Sequence, residues 1–218
     1  MTGRHYKIDG ERYPSVTTIL TTLANDGITA WKLRVGLAEA GRISKDATDY
    51  GTSLHSLFER ANRDQLDTLS GDEVQAIQAY VNWKNENVNV VLGAEKLLVS
   101  RKYGFAGTCD LLAVLSDGKP AILDLKSSRS DLGIREWRLQ LAAYCIAADE
   151  GGTVCERRVI LRMPRAEPGK LYVHELSEDD LEIDKRAFLA CLRVFKWNAE
   201  VEEQTKKPLG PRIRFNGR

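Results

Sequence analysis

The chain has 218 residues, which is enough to bury a substantial core and favours one domain with appendages. With 43% hydrophobic and 29% charged residues it has the balance of a soluble globular protein, which excludes a disordered chain. A formal net charge of +1 is neutral evidence about nucleic acid, so attraction for phosphate would have to come from local clusters of basic residues.

The N-terminus has no apolar leader, and no stretch approaches the ~20 apolar residues of a membrane span. We therefore expect a soluble protein that does not contact membranes. The cysteines lie in apolar runs without a C-x-x-C pair, which argues against a zinc ribbon or a redox motif. Reduced, buried thiols are expected at Cys109, Cys145, Cys155 and Cys191.

The first ninety residues carry turn and helix signals. Asp9-Gly10 predicts a β-hairpin over residues 6–13, because this dipeptide favours the tight turns that join antiparallel strands. Ser15 is a candidate N-cap for the helix that follows, and Ser70 and Glu73 have the spacing of a capping box. Apolar residues at helical spacing predict helices over residues 16–24, 29–40 (ending at Gly41), 52–63 and from 70 onward.

The rest of the chain alternates strand and helix signals. Short runs rich in Val, Leu and Ile predict strands over residues 90–100, 105–115, 121–127, 153–163 and 171–176. Helices are predicted over residues 134–149 and from a cap at Ser177 through Phe188, Leu192 and Phe195. Strands that are apolar on both faces indicate a sheet covered on both sides. The element order thus predicts a mixed α/β sandwich with a helical N-terminal part packed on it.

Three charged residues in the predicted strands have a spacing suited to metal chemistry. If the hairpin reverses at Asp117, Asp110 lies opposite Asp124, and opposed side chains on one face have Cβ atoms about 4.5–5.5 Å apart. Lys126 returns to the same face, because alternate residues of a strand share a face. This arrangement requires an odd loop of three or five residues, or a bulge. A two-residue turn at Asp117-Gly118 would place Asp110 on the other face.

Paired carboxylates that clasp a hard divalent cation meet the needs of phosphodiester hydrolysis. The reaction needs neutralised phosphoryl charge, an activated water and a stabilised leaving oxygen. Without a cation, the repulsion between Asp110 and Asp124 would be costly in a strand pair. The alternative interpretation is a surface ion pair between Asp124 and Lys126 on an edge strand.

Four motifs in order surround these residues. Gly107-Thr108-Cys109-Asp110 followed by Asp124-Leu125-Lys126 resembles the G-x-x-D…D-x-K signature of the PD-(D/E)XK nuclease superfamily. Gly51-Thr52-Ser53-Leu54-His55 resembles its upstream histidine motif, and Gln140-Leu141-Ala142-Ala143-Tyr144 resembles its downstream Q-x-x-x-Y motif. The set is similar to the RecB-like exonuclease branch, which includes single-domain phage and mitochondrial members. It implies a restriction-endonuclease-like core, with a central mixed sheet flanked by helices.

The resemblance implies that one or two Mg²⁺ or Mn²⁺ ions are held by His55, Asp110, Asp124 and the backbone carbonyl of Leu125. Lys126 would orient or activate the attacking water. Gln140 and Tyr144 share a helical face, from which they would assist at the site or contact a phosphate, and Glu95 would stand near the metal. Taken alone, His55 would be a residue flanking an apolar stripe and Tyr144 a core residue.

The same resemblance, together with local charge, suggests how DNA is held. Candidate backbone contacts that follow the D-x-K strand are Ser127, Arg129, Arg135 and Arg138. Residues 1–50 would cap the cleft, 51–205 would form the nuclease core, and 206–218 form a basic tail. That tail is either a solvated end or a DNA-contacting arm. The scattered cysteines imply no iron–sulfur cluster, and the absence of a G-x-x-x-x-G-K-[ST] motif implies no ATP.

The leading hypothesis is therefore a divalent-metal-dependent DNA exonuclease that prefers single strands or ends. A structure-specific endonuclease of the same fold and a non-catalytic DNA-binding scaffold are the alternatives. The resemblance to phage and bacterial recombination or repair enzymes suggests the cytoplasm of a bacterium or of a phage-infected cell. It leaves open a recombination or replication protein as a partner.

Overall fold

The computed structural model describes residues 3–23 and 26–206, so the predicted basic tail, apart from its first residue, lies outside them. The helices are α1 (Val16–Leu20), α2 (Asp26–Val35), α3 (Leu37–Asn62), α4 (Gly71–Asn87), α5 (Ile134–Glu150) and α6 (Leu181–Lys206). The strands are β1 (His5–Ile8), β2 (Glu11–Pro14), β3 (Val88–Ser100), β4 (Phe105–Leu115), β5 (Pro120–Lys126), β6 (Arg157–Arg162) and β7 (Tyr172–Leu176). None of the described helices combines the length and the apolar character needed to cross a bilayer.

The predicted N-terminal hairpin is confirmed. β1 and β2 pair antiparallel around Asp9 and Gly10, whose φ angles of 50° and 85° fit the tight turn that this dipeptide favours. Ser15 follows directly and caps α1, because its Oγ accepts the backbone N–H of Thr18 at 3.0 Å.

The predicted helix over residues 16–24 is too long. α1 ends at Leu20, where the hydroxyls of Thr21 and Thr22 donate to the carbonyls of Thr18 and Ile19 at 2.7 and 2.9 Å. Such local bonds offer the backbone an alternative to further helix. Residue 24 itself lies outside the described residues.

The predicted helix end at Gly41 is wrong. The break lies earlier, at Gly36, whose φ of 85° is rarely adopted by residues with a side chain. α3 then runs continuously through Gly41 and Gly51, because a single helical glycine costs only about 1 kcal/mol relative to alanine. The expected boundary between residues 50 and 51 thus falls inside one helix.

Two further predicted caps have different outcomes. The capping box that opens α4 is confirmed, since Ser70 N donates to Glu73 Oε2 at 2.8 Å and Glu73 N donates to Ser70 Oγ at 3.3 Å. Ser177 does not cap α6, because its Oγ accepts from Asp179 N at 3.3 Å in a local turn and the helix begins at Leu181.

Five strands form the central sheet in the order β3-β4-β5-β6-β7. β5 and β6 are parallel, and α5 is the crossover that connects them, whereas the other neighbours are antiparallel. β6 is shorter than predicted because residues 153–156 turn back on the end of α5, where Cys155 N donates to an Asp149 oxygen at 3.3 Å.

Apolar residues of alternate parity cover the two faces of the sheet. Leu112 and Ile122 face α1, α5 and α6, whereas Leu111 and Leu123 face α3 and α4. The predicted mixed α/β class, with a restriction-endonuclease-like sheet between helices, is confirmed. All four cysteines are buried free thiols, as expected.

Candidate active site

An open cleft of about 690 Å³ lies beside the first half of β4 and the end of β5, between α3 and the N-terminal hairpin. The hairpin and α1 supply one wall, α3 supplies the other, and β3, β4 and α5 contribute to the floor. Besides several serines and threonines, the polar residues that line it are Arg4, Tyr6, His55, Glu59, Glu95, Asp110, Ser127, Gln140 and Tyr144.

Three potential metal ligands meet in this cleft from three separate elements. His55 of α3, Glu95 of β3 and Asp110 of β4 offer ligand atoms that all lie within 4.8 Å of one another. His55 Nδ1 is 3.4 Å from Asp110 Oδ1 and 3.9 Å from Glu95 Oε1. The sequence placed Glu95 only near the metal, whereas its side chain belongs to this cluster directly.

Glu95 adopts a strained backbone conformation, with a φ of +49° in the middle of a strand. Left-handed φ costs a non-glycine residue roughly 1–2 kcal/mol, and such strain concentrates at functional sites. The flanking pairs Ala94–Leu111 and Lys96–Cys109 place Glu95 opposite Asp110 in the β3–β4 register. The unusual φ therefore occurs where two acids face each other.

The predicted parity of the β4–β5 hairpin is confirmed. Leu111 pairs with Leu123 and Val114 with Pro120, so extending this register by one residue brings Asp110 and Asp124 opposite each other. The loop has three residues, 116–118, and it contains a glycine at a φ of 80°. Type I turns followed by a left-handed residue are common in such loops.

Asp110 is fixed by the strand beside it. It is buried, and its Oδ2 accepts the backbone N–H of Leu125 at 2.6 Å, while Oδ1 faces His55. One carboxylate oxygen is thus held by the fold, and the other is presented to the cleft.

Asp124 and Lys126 share a face, as predicted, and begin a chain of polar contacts. Lys126 Nζ lies 2.5 Å from Asp124 Oδ2 and donates to Gln140 Oε1 at 2.9 Å. Gln140 Nε2 in turn donates to the hydroxyl oxygen of Tyr144 at 2.9 Å. β5 lies between β4 and β6, and Asp124 is only 2% exposed, so the alternative of a surface pair on an edge strand is wrong.

The site holds more negative charge than its own residues neutralise. Burial raises the pKa of Asp124 to about 6, although the adjacent Lys126 ammonium lowers it and Asp110 raises it further. Burial and the charge of Asp110 also raise the pKa of Glu95. Burial lowers the pKa of His55, but its bond to Asp110 and the charge of that carboxylate outweigh this effect and leave it raised. A bound cation would reduce the repulsion among the carboxylates of Glu95, Asp110 and Asp124.

Two motif glycines permit close approaches beside these residues. A Cβ on Gly107 would lie 2.6 Å from Tyr144 Cε1 and 3.0 Å from Val16 Cγ2. A Cβ on Gly51 would lie 3.2 Å from Ser127 Oγ. The absence of a side chain at Gly107 lets Tyr144 lie close enough to hydrogen-bond Gln140, which in turn bonds Lys126. The absence of a side chain at Gly51 lets Ser127, directly after β5, pack against α3.

The predicted DNA contacts fall into different positions. Ser127 lines the cleft, whereas Arg129 and Arg135 have exposed side chains that do not line it. Arg138 is held in an internal ion pair, with its Nη2 3.0 Å from Asp184 Oδ1. DNA binding by these residues and metal binding by the Leu125 carbonyl stay predictions.

The family resemblance predicted that residues 1–50 cap the cleft, but it named no individual residue of that wall. Arg4, Tyr6 and Thr17 line it, and the Tyr6 hydroxyl lies 3.0 Å from Thr108 Oγ1. These residues are about a hundred positions from β4 and β5. No local pattern beyond the hairpin signal could have linked them individually to the site.

Comparisons with known proteins give one family match. Residues 69–216 match the sequence family described as the PD-(D/E)XK nuclease superfamily, over more than half of the chain. No curated protein matches. Among solved structures, the crystal structure of SSO0001 is 14% identical with a TM-score of 0.37, and the match covers 84% of this chain and 78% of that one. The alkaline exonuclease LHK-Exo from Laribacter hongkongensis is 18% identical with a TM-score of 0.38, over 62% of this chain and 69% of that one.

Proposed function

This chain belongs to the PD-(D/E)XK nuclease superfamily, and from that premise we propose that it is a metal-dependent DNA exonuclease of the RecB-like branch. Membership implies a nuclease that acts on DNA and uses divalent metal ions. The finer proposal is hydrolysis of phosphodiester bonds with a preference for single strands or ends. The observation that carries it is the meeting of His55, Glu95 and Asp110 beside the Asp124–Lys126 pair.

The donor set fits a hard divalent cation. Oxygen ligands bind Mg²⁺ at about 2.0–2.1 Å, so two ligands of one ion lie up to about 4.2 Å apart. The cluster's spacing of 4.8 Å or less needs only a small closure. The imidazole of His55 is a softer donor than carboxylate, which favours Mn²⁺ over Mg²⁺ in affinity. When bound, the ion supplies Lewis-acid polarisation of the phosphoryl group and lowers the pKa of a coordinated water.

The protein's own groups hold and orient the reactants. His55, Glu95 and Asp110 would hold the ion. Asp124 and the backbone carbonyl of Leu125 would be further ligands, as the family resemblance implies. Lys126 donates from Nζ to the attacking water or to a phosphoryl oxygen, stabilising the charge that develops there.

Gln140 and Tyr144 act through Lys126. Their hydrogen bonds, at 2.9 Å each, fix the ammonium in one position beside Asp124. Preorganisation of this kind lowers the cost of orienting a catalytic group during the reaction. This pair, on one face of α5, is the feature that supports the RecB-like branch.

The shape of the cleft supports single strands or ends as substrate. A cleft of about 690 Å³ is within the range of roughly 300–1,000 Å³ that holds small ligands, so it can receive one or two nucleotides of a strand. Walls on both sides favour a strand that has separated from its complement.

A nuclease assay with three substrates tests the proposal. Linear single-stranded DNA should be degraded with Mg²⁺ or Mn²⁺ and not with EDTA, a closed single-stranded circle should stay intact, and blunt duplex should be cut more slowly. Asp110→Asn should be inactive, whereas Lys170→Ala, a change at a surface lysine outside the cleft, should cut like wild type. Cleavage in EDTA, or by Asp110→Asn, would refute the proposal. Cleavage of the circle would show that the enzyme is an endonuclease instead of an exonuclease.

A further inference from the structure

Of the described residues that line the cleft, three are carboxylates and one is an arginine, and His55 is the other titratable cation. Among the described residues, Arg4 is the only arginine or lysine that lines it, opposite the carboxylates Glu59, Glu95 and Asp110. A DNA strand entering this cleft carries negative charge on every phosphate, so it would be repelled wherever no cation faces it.

Arg4 is held in place by both its backbone and its side chain. Its carbonyl accepts from Ser15 N at 2.9 Å and from Thr18 Oγ1 at 3.1 Å, which ties it to the start of α1. Its guanidinium carbon lies 4.9 Å from the centroid of the Tyr6 ring. The Tyr6 hydroxyl is in turn 3.0 Å from Thr108 Oγ1, two residues before Asp110. The arginine is therefore coupled to the strand that carries a proposed metal ligand.

The structure shows no ion pair of Arg4 among the side chains that it describes, those of residues 3–23 and 29–205. The carboxylates of Glu95 and Asp110 in the same cleft lie against His55 instead. Its side chain lines the same cleft as Glu95 and Asp110, so its charge faces the place where a phosphate would lie. A planar guanidinium with free donors matches the geometry of a phosphate group.

We propose that Arg4, positioned by Tyr6, binds a phosphate group of the DNA strand beside the His55–Glu95–Asp110 cluster. This inference rests on the proposed function. The bound group is a phosphodiester within the strand or a phosphate at its end, since both present the same oxygens. Arg4 thereby binds the DNA strand and fixes its position along the cleft, while the residues on the other side carry out the chemistry.

Variants within the same hairpin test the assignment. Arg4→Ala and Tyr6→Leu are compared with Arg12→Ala, which removes an exposed arginine of β2 that does not line the cleft. For Arg4→Ala we expect KM on linear single-stranded DNA to rise about tenfold while kcat stays within about twofold, because a ground-state contact is lost. The KM of Arg4→Lys should lie between those of wild type and Arg4→Ala, because lysine keeps the positive charge but lacks the planar guanidinium. Tyr6→Leu should raise KM by a smaller factor than Arg4→Ala.

The salt dependence of DNA binding gives an independent readout. In EDTA, where cleavage is not expected, the slope of log affinity against log salt should fall by about 0.7 in Arg4→Ala and stay unchanged in Arg12→Ala. An unchanged slope in Arg4→Ala, an equal fall in both variants, or a loss confined to kcat would overturn the inference.

Two further arms separate the remaining possibilities. If the Arg4 effect appears only on strands with a terminal phosphate, the bound group is that phosphate; an equal effect on hydroxyl ends identifies an internal phosphodiester. If wild type binds DNA with the Arg4-dependent slope but does not cut it, the proposed nuclease function fails while the phosphate site stands. If wild type cuts and Arg4→Ala behaves identically, only the phosphate site fails.

Discussion

Two charge clusters in this protein are built on opposite principles. In the cleft, the carboxylates of Glu95, Asp110 and Asp124 share one lysine, Lys126, and a histidine. Between β6, α5 and α6, Asp184 of α6 accepts hydrogen bonds from Arg158 Nη1 at 2.6 Å and from Arg138 Nη2 at 3.0 Å.

The balance of charge distinguishes a structural cluster from a functional one. The Asp184 cluster has as many acids as arginines once Asp180 is counted, 3.0 Å from Arg138 Nη2, and Arg158 also donates to the Ser177 carbonyl at 2.9 Å. It is complete in itself. The cleft cluster is short of positive charge, and it contains the strained φ of Glu95. Evolution tolerates such a deficit where a ligand supplies the missing charge.

The largest effect is expected from a substitution that removes a charge from the cleft cluster without changing the size of the side chain. Asp124→Asn should lower turnover on the order of 10³-fold, equivalent to about 4 kcal/mol of transition-state stabilisation. The metal-free variant should be at least as stable as wild type, because burial raises the pKa of Asp124 despite its contact with Lys126, so folding disfavours the ionised carboxylate that Asn replaces. Nuclease rates and thermal unfolding in EDTA measure both, with the exposed Asp179→Asn as control. Activity within tenfold of wild type would contradict the assigned role.

Breaking the Asp184 cluster should have the reverse outcome. Asp184→Asn leaves the guanidinium of Arg158, which is 2% exposed, without its charge partner and should cost about 3–5 kcal/mol of unfolding free energy. Turnover of the folded fraction should change little. Urea unfolding is the measurement, and Asp180→Asn, at a half-exposed partner of Arg138, should cost no more than about 1 kcal/mol. If the two variants lost the same unfolding free energy, the burial of the ion pair would not determine how much it stabilises the fold.

Added metal should distinguish the clusters without altering the chain. Mg²⁺ or Mn²⁺ at a hundred times its dissociation constant should stabilise wild type by about 2.7 kcal/mol, because it binds the folded state. His55→Ala and Asp110→Asn should lose most of this gain, and Asp180→Asn should keep it. Thermal unfolding with and without EDTA gives the comparison. A gain that persists in both cleft variants would place the cation elsewhere.

The smallest expected effect concerns packing around the cleft cluster. Gly107→Ala would press a Cβ onto Tyr144 and should cost about 1–3 kcal/mol, with a fall in turnover as the Gln140–Lys126 contact loosens. Gly41→Ala, in α3 with open space around it, should instead stabilise by about 0.5–1 kcal/mol. Chemical unfolding of both variants tests the contrast in sign. A neutral Gly107→Ala would show that Tyr144 can move without cost.

Local periodicity was sufficient to predict β4 and β5, the strands that carry the candidate site. Alternation placed Asp124 and Lys126 on one face, and the parity of the Asp117-Gly118 loop placed Asp110 with them. These relations depend on neighbours in one hairpin, which is why a sequence read alone can fix them.

Helix ends and long-range partners were less accessible. Gly41 has the residue type of a helix end but lies inside α3, while Gly36 forms the break, because packing of the whole helix outweighs a cost of about 1 kcal/mol. Arg138 looked free to bind DNA, yet Asp184 lies against it from 46 residues away. Neither the helix break at Gly36 nor the ion pair of Arg138 can be recognised from the neighbouring residues in the sequence.

Spacing along one or two strands is sufficient to predict the sheet-forming runs, the shared face of the acids and the lysine, and the motifs. The meeting of Glu95 with His55 and Asp110, and the wall that Arg4 and Tyr6 form across the cleft, depend instead on tertiary packing. Those contacts join elements far apart in the chain. Their geometry is set by how helices and strands pack, which no local pattern specifies.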